Sequence, residues 1–289
     1  MSDNSTLPTA GFGSIHPAYT TIEGLRIRYA TSPRAGAATV LLFSPWPESL
    51  LAFLPIWDVL APEFSLLAVD LPGFGLSEGR AELMSPSTMG RFLIQLNAHF
   101  GLQKPHAIAP DVASPSVLFA EAIQAGTFSS LLIGSGACTF PLRVAGVLQQ
   151  IIEAESLDAF RAMDTNAIVL NSLSEIKPYR ALPEAVVADY LAAAADGRFV
   201  EAMNFVRAYK TDLPVLATRL PAITTPVHIV SGRFDPNVPV ADAEALHNQL
   251  PHSTLTVLEC GHYTWEEEAD TYGQLALEWL RGGYQQLTR

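Results

Sequence analysis

Short apolar runs bounded by turn residues recur along this chain, at residues 39–43, 65–69, 106–109, 129–133, 227–230 and 254–258. Each is too short for a helix, and a run that stays apolar on successive residues suits a strand covered on both faces, as in a parallel sheet. Two earlier runs, residues 19–22 and 25–30, flank Glu23 and Gly24 and predict a hairpin. Helical periodicity fills the intervals at residues 88–100, 112–125, 240–250 and 267–281. Strand and helix in alternation predict an α/β fold with a mostly parallel, doubly wound sheet. The alternation lapses between Cys138 and Leu220, a stretch rich in Ala, Leu, Glu and Gln and broken at Pro178, Pro183 and Gly197, which reads as helices alone. The expected organisation is one core, residues 1–137 and 221–289, with a helical lid, residues 138–220, inserted in it. A chain of 289 residues can bury such a core without a second independent domain.

Composition narrows the function. Apolar residues are 49% and charged residues 16%, a globular balance. Seventeen Lys and Arg against 29 Asp and Glu leave a net charge of −12, which repels nucleic acid and anionic lipid and argues against both as partners. Residues 50–71, the most apolar stretch, are interrupted by Asp58, Pro62 and Glu63 and do not read as a membrane span. Cys138 and Cys260 stand far apart with no ligand-like spacing, so neither a disulfide framework nor a metal site is expected. Residues 1–10 lack the basic start and apolar run of a signal peptide. These features together predict a cytoplasmic protein.

In a parallel α/β sheet, ligands bind beyond the carboxyl ends of the strands, so the loops after the apolar runs come first. After residues 106–109 the chain reads Pro110-Asp111-Val112-Ala113. A sharp strand-to-helix turn that presents a nucleophile needs small residues two before and two after it, and Ala109 and Ala113 supply them around Asp111. The positive end of the helix dipole favours negative charge at that position. A plain helix N-cap is the alternative role for Asp111. Ser114 is the nearby serine, but Pro115 follows it and has no N–H to act as an oxyanion donor, whereas Val112 after Asp111 keeps its own. Asp235 and His262 lie in the loops after residues 227–230 and 254–258. The order nucleophile, acid, histidine fits a catalytic triad. After residues 39–43 comes Ser44-Pro45-Trp46-Pro47-Glu48-Ser49, where two prolines leave the Trp46 N–H to serve as an oxyanion donor.

These loops resemble those of the α/β-hydrolase superfamily, and within it the branch with an aspartate nucleophile, which holds epoxide hydrolases and haloalkane and fluoroacetate dehalogenases. Residues 44–49 are similar to the epoxide-hydrolase motif His-Gly-Phe-Pro-Glu-Ser, and Asp70-Leu71-Pro72-Gly73-Phe74-Gly75-Leu76-Ser77 to the loop Asp-X-Arg-Gly-X-Gly-X-Ser. The resemblance implies an α/β-hydrolase fold and covalent hydrolysis without a cofactor. Asp111 would form an ester, His262 held by Asp235 would activate water, and the Trp46 and Val112 amides would hold the oxyanion. Val112 stands where haloalkane dehalogenases carry a halide-binding tryptophan, which counts against that activity. Epoxide hydrolases protonate the opening ring with lid tyrosines; Asn204-Phe205-Val206-Arg207 puts Val206 where one is expected, leaving Tyr179, Tyr190 and Tyr209 as substitutes. Phe205 and the other apolar residues of the inserted stretch suit a small apolar substrate. A non-hydrolytic enzyme performing an elimination or ring closure, and a ligand-binding protein without chemistry, are the rival readings.

Overall fold

A computed structural model describes residues 13–176 and 178–288, so the polar stretch at residues 1–10 lies outside the described residues. Among the described residues eight strands form one sheet: β1 (Ala18–Ile22), β2 (Leu25–Ser32), β3 (Thr39–Phe43), β4 (Ser65–Val69), β5 (His106–Pro110), β6 (Ser130–Gly134), β7 (Val227–Gly232) and β8 (Ser253–Leu258). Their spatial order is β1-β2-β4-β3-β5-β6-β7-β8. β1 and β2 make the expected hairpin, closing at Ile22 opposite Leu25. Glu23 and Gly24 between them have φ of 51° and 78°, the paired left-handed geometry whose twist matches two antiparallel strands. β2 pairs antiparallel with β4, and from β4 to β8 all neighbours are parallel. Every residue of β5, β6 and β7 is buried, which explains their unbroken apolar character; β8, at the edge, is half-covered apart from Leu258.

The core helices are α1 (Leu54–Leu60), α2 (Pro86–His99), α3 (Ala113–Ile123), α10 (Val240–Gln249), α11 (Thr264–Glu267) and α12 (Ala269–Leu280). α2 begins two residues before the apolar period because Ser85 caps it, accepting from the Thr88 N–H, and Pro86 occupies the first turn. It packs closely on α3 at Gly90, where a β-carbon would stand 2.8 Å from the Ala120 nitrogen. α1 lies against α12, and α10 against β7 and β8. The sequence period expected one helix from residue 267; instead Glu267 ends a short α11, and Glu268, with φ of −115° and ψ of 43°, separates it from α12.

Between β6 and β7 the described residues form six helices: α4 (Gly146–Glu153), α5 (Asp158–Arg161), α6 (Thr165–Leu173), α7 (Glu184–Ala194), α8 (Arg198–Arg207) and α9 (Tyr209–Ala217). A buried ion pair ties this insertion to the sheet. Arg28 of β2 donates to Asp189 of α7 through Nη1 (3.0 Å to Oδ1) and Nη2 (2.6 Å to Oδ2), and Ser49 Oγ adds a bond of 2.6 Å. Asp70 Oδ2 lies 3.4 Å from Arg28 Nη1. Burial raises the Asp70 carboxyl to about 6 despite the guanidinium beside it. No helix among the described residues is long and apolar enough to cross a membrane.

Candidate active site

β5 ends at Pro110 and α3 begins at Ala113, so Asp111 and Val112 carry the whole turn. Asp111 has φ of 52°, a left-handed conformation that a non-glycine residue adopts only when its surroundings enforce it. Its N–H donates to the Gly134 carbonyl at 2.8 Å, and its carbonyl accepts from the Ser114 N–H at 2.9 Å. Gly136 presses on the same carbonyl, so that a β-carbon there would lie 2.0 Å from the oxygen. Ala109 and Ala113 are fully buried at the crossing. Ser114 is committed to the turn: its Oγ lies 2.8 Å from the Ala109 carbonyl and accepts from the Gly134 N–H at 3.1 Å. It does not line the cavity described below.

The Asp111 carboxylate is engaged on both oxygens. Oδ2 accepts from the Trp46 N–H at 2.7 Å, and Oδ1 lies 3.7 Å from His262 Nε2. On the far side of the ring, His262 Nδ1 donates to Asp235 Oδ2 at 2.7 Å. Asp235 Oδ1 in turn accepts from the Asn237 and Val238 amides at 2.8 and 2.9 Å, so this carboxylate is locked before it orients the imidazole. The loop carrying His262 is held by Glu267, whose Oε2 accepts from the Gly261 N–H (2.6 Å) and Oε1 from the Tyr263 N–H (2.9 Å). Burial opposes charge on His262, but Asp235 and Asp111 outweigh it and raise the imidazole pKa well above its ordinary value.

Beside Asp111 and His262 lies a buried acidic pair. Glu48 is fully buried and accepts from Trp265 Nε1 at 3.0 Å. Burial, and then the charge of Glu266, push its pKa far up. Glu266 is raised to about 7 by burial, opposed by Arg180, and accepts from the Tyr190 hydroxyl at 3.2 Å.

Asp111 and His262 open on a cavity of about 150 Å³ whose wall is mostly apolar, with Ile151, Phe160, Phe199 and Met203 contributed by the inserted helices. Trp46 also lines it and stacks on Phe199 at 4.8 Å between ring centres. The sequence-selected tyrosines separate here. Tyr209 lines the cavity, Tyr190 is buried in the acidic pair, and Tyr179, 45% exposed, is not part of the cavity wall. Phe205 does not reach the wall; it packs between Phe74 and Tyr209. Val112 is fully buried at the start of α3. Sequence reasoning missed Tyr263 and Ser172, both on the cavity wall and hydrogen-bonded to each other at 2.7 Å. The position of Tyr263 directly after the selected histidine was the available signal.

No family model matches the chain. It is 22% identical over 268 residues to the uncharacterized hydrolase YugF of Bacillus subtilis, spanning 90% of this chain and 96% of that protein. The 2-hydroxy-6-oxo-6-phenylhexa-2,4-dienoate hydrolase of Rhodococcus sp. strain RHA1 superposes with a TM-score of 0.76 at 22% identity, over 93% of this chain and 99% of that one. Epoxide hydrolase VrEH1 of Vigna radiata superposes with a TM-score of 0.77 at 15% identity, over 94% and 99%. The sheet order, the strained turn after β5 and these likenesses together give the chain the α/β-hydrolase fold, with similarity along its length to hydrolases of that superfamily.

Proposed function

We propose that the chain is a cofactor-independent hydrolase with Asp111 as nucleophile, acting on a small apolar epoxide. The observation that carries this reading is the division of labour on one carboxylate that lines the cavity: Trp46 N–H holds Oδ2, while Oδ1 lies 3.7 Å from His262 Nε2. A carboxylate is ionised at neutral pH and needs no base to attack carbon. Oδ1 forms a bond to a ring carbon, the carbon–oxygen bond breaks, and the leaving oxygen takes a proton from a hydroxyl on the cavity wall.

The second step follows from the change in charge. Esterification neutralises Asp111, which removes one of the two interactions that raise the His262 pKa, so more of the imidazole is unprotonated at neutral pH and free to act as a base. It takes a proton from water, and the hydroxide attacks the Asp111 carboxyl carbon. The charge that develops on Oδ2 falls to the Trp46 N–H and the Val112 N–H. Collapse expels the alkoxide, which takes the proton from His262 and leaves as a diol, and the Asp111 carboxyl loses its proton to water.

The inserted helices serve as a lid that excludes water, and a cavity near 150 Å³ suits a molecule of about one aromatic ring. Cys138 and Cys260 are free and buried, which fits a cytoplasmic protein. The test is intact-protein mass spectrometry of a His262→Gln variant exposed to epoxides. An adduct of one substrate mass on the peptide with Asp111, absent when Asp111→Asn is added, is the expected result. A His262→Gln protein that binds epoxide without gaining mass would sink the covalent mechanism.

A further inference from the structure

Attack on an epoxide leaves a negative oxygen, and an apolar cavity cannot stabilise it without a proton donor. His262 is placed on the nucleophile's side, 3.7 Å from Asp111 Oδ1, and is needed later as the base. Among the described residues on the wall, three carry a hydroxyl: Ser172, Tyr209 and Tyr263. We propose that Tyr263 is the catalytic acid that protonates the leaving oxygen and that Ser172 is the relay that restores its proton; this rests on the Asp111 reading above.

The geometry favours Tyr263 over Tyr209. Its main chain is pinned by Glu267 at 2.9 Å, and its ring packs edge-on against His262 (5.1 Å) and Trp265 (5.8 Å). Its hydroxyl is bonded to Ser172 Oγ at 2.7 Å, so the donor is fixed in position before substrate enters. Ser172 belongs to α6 and is only partly buried, so water can reach the pair through it. Tyr209 is as buried as Tyr263 (1% and 2% exposed) and packs against Phe205, but among the described residues its hydroxyl makes no hydrogen bond comparable to the one between Tyr263 and Ser172. Burial raises the Tyr263 phenol well above its ordinary pKa, with Glu48 next in effect, so it remains protonated at neutral pH.

The step balances. Asp111 Oδ1 bonds to carbon, the electron pair of the broken bond stays on oxygen, and the Tyr263 proton moves to it. Ser172 passes its proton to the phenolate and takes another from water. Because Ser172 comes from α6 and Tyr263 from the histidine loop, the donor is complete only while α6 covers the site.

The experiment compares two electrophiles in the His262→Gln background, where the ester accumulates: styrene oxide, whose leaving oxygen needs a proton, and benzyl methanesulfonate, whose leaving group does not. Adduct formation is timed by rapid quench and mass spectrometry. Adding Tyr263→Phe is expected to slow the styrene oxide adduct about 100-fold and to leave the sulfonate adduct within about 3-fold. Ser172→Ala, which frees the Tyr263 hydroxyl from the bond that positions it, is expected to slow only the epoxide, and by less. Equal slowing of both electrophiles by Tyr263→Phe means a merely structural role and overturns the proposal, as does an epoxide-selective loss in Tyr209→Phe with none in Tyr263→Phe. Absence of adduct with either electrophile in His262→Gln itself overturns the Asp111 reading, and this one with it.

Discussion

A β-carbon on Gly136 would stand 2.0 Å from the main-chain oxygen of Asp111. The strained turn that presents Asp111 is therefore shaped by a residue one strand away, in the loop just after β6. Gly136→Ala must move one backbone or the other. Overpacking of this kind costs about 1–3 kcal/mol, and a shift of about 1 Å in a reacting group costs about 100-fold in rate. The expected outcome is a folded protein with a Tm a few degrees lower and kcat/KM on an epoxide reduced about 100-fold. Full activity in the variant would show that the turn tolerates displacement.

Asp111 and Asp235 both raise the His262 pKa. In Asp111→Asn one of them is lost while the 2.7 Å bond to Asp235 is kept, so the imidazole should titrate at lower pH than in the parent. Histidine ring resonances followed by NMR across pH measure this directly. The same sign applies to the ester: hydrolysis of an isolated Asp111 adduct should slow as pH falls below the lowered pKa and the imidazole takes a proton. An unchanged His262 titration in Asp111→Asn would break the proposed coupling between esterification and basicity.

Arg28 and Asp189 are almost fully buried, with side-chain exposures of 3% and 4%. Removing one partner of such a pair leaves a charge in a dry interior, at a cost of about 3–5 kcal/mol. Asp189→Ala is predicted to lower Tm sharply, with Asp70 the remaining acid beside Arg28. Because Asp189 sits on α7, limited proteolysis should cut the inserted helices before the sheet. Thermal melts and peptide mapping of the fragments test both parts.

Glu266 is held at about 7 by burial, opposed by Arg180. The folded chain therefore keeps this proton at pH values where an unfolded glutamate has lost it. Stability from this group is fully present below the ordinary glutamate range and is lost as pH rises through about 7. Glu266→Gln removes that dependence. Melts of wild type and variant at a series of pH values should show the difference in Tm moving in favour of the variant between about pH 5 and pH 8. A constant difference would mean that Glu266 does not change charge over that range.

Much of this protein is written in local pattern. Unbroken apolar runs such as His106 to Ala109 mark strands that parallel pairing must cover on both faces, and residues 106–110 are buried throughout. Glu23 and Gly24 mark the hairpin because their φ values of 51° and 78° suit few residue types. Loops after strands end on one edge of a parallel sheet, so Asp111, Asp235 and His262 could be grouped from chain order alone, and the 2.7 and 3.7 Å separations arise from that edge.

What chain order could not decide is which side chains of the insertion reach that edge. A helix from residues 209–217 shows where its apolar face is but not what covers it, so Tyr179, Tyr190 and Tyr209 were equivalent in sequence. Packing sends Tyr209 to the cavity, Tyr190 to Glu266 and Tyr179 to the exterior. The same holds for Ser172 and Tyr263, 91 residues apart and joined at 2.7 Å, and for Gly136 against Asp111. Periodicity acts between neighbours along the chain and fixes the elements; a contact between elements depends on the shape of everything packed around both, and only the tertiary structure settles it.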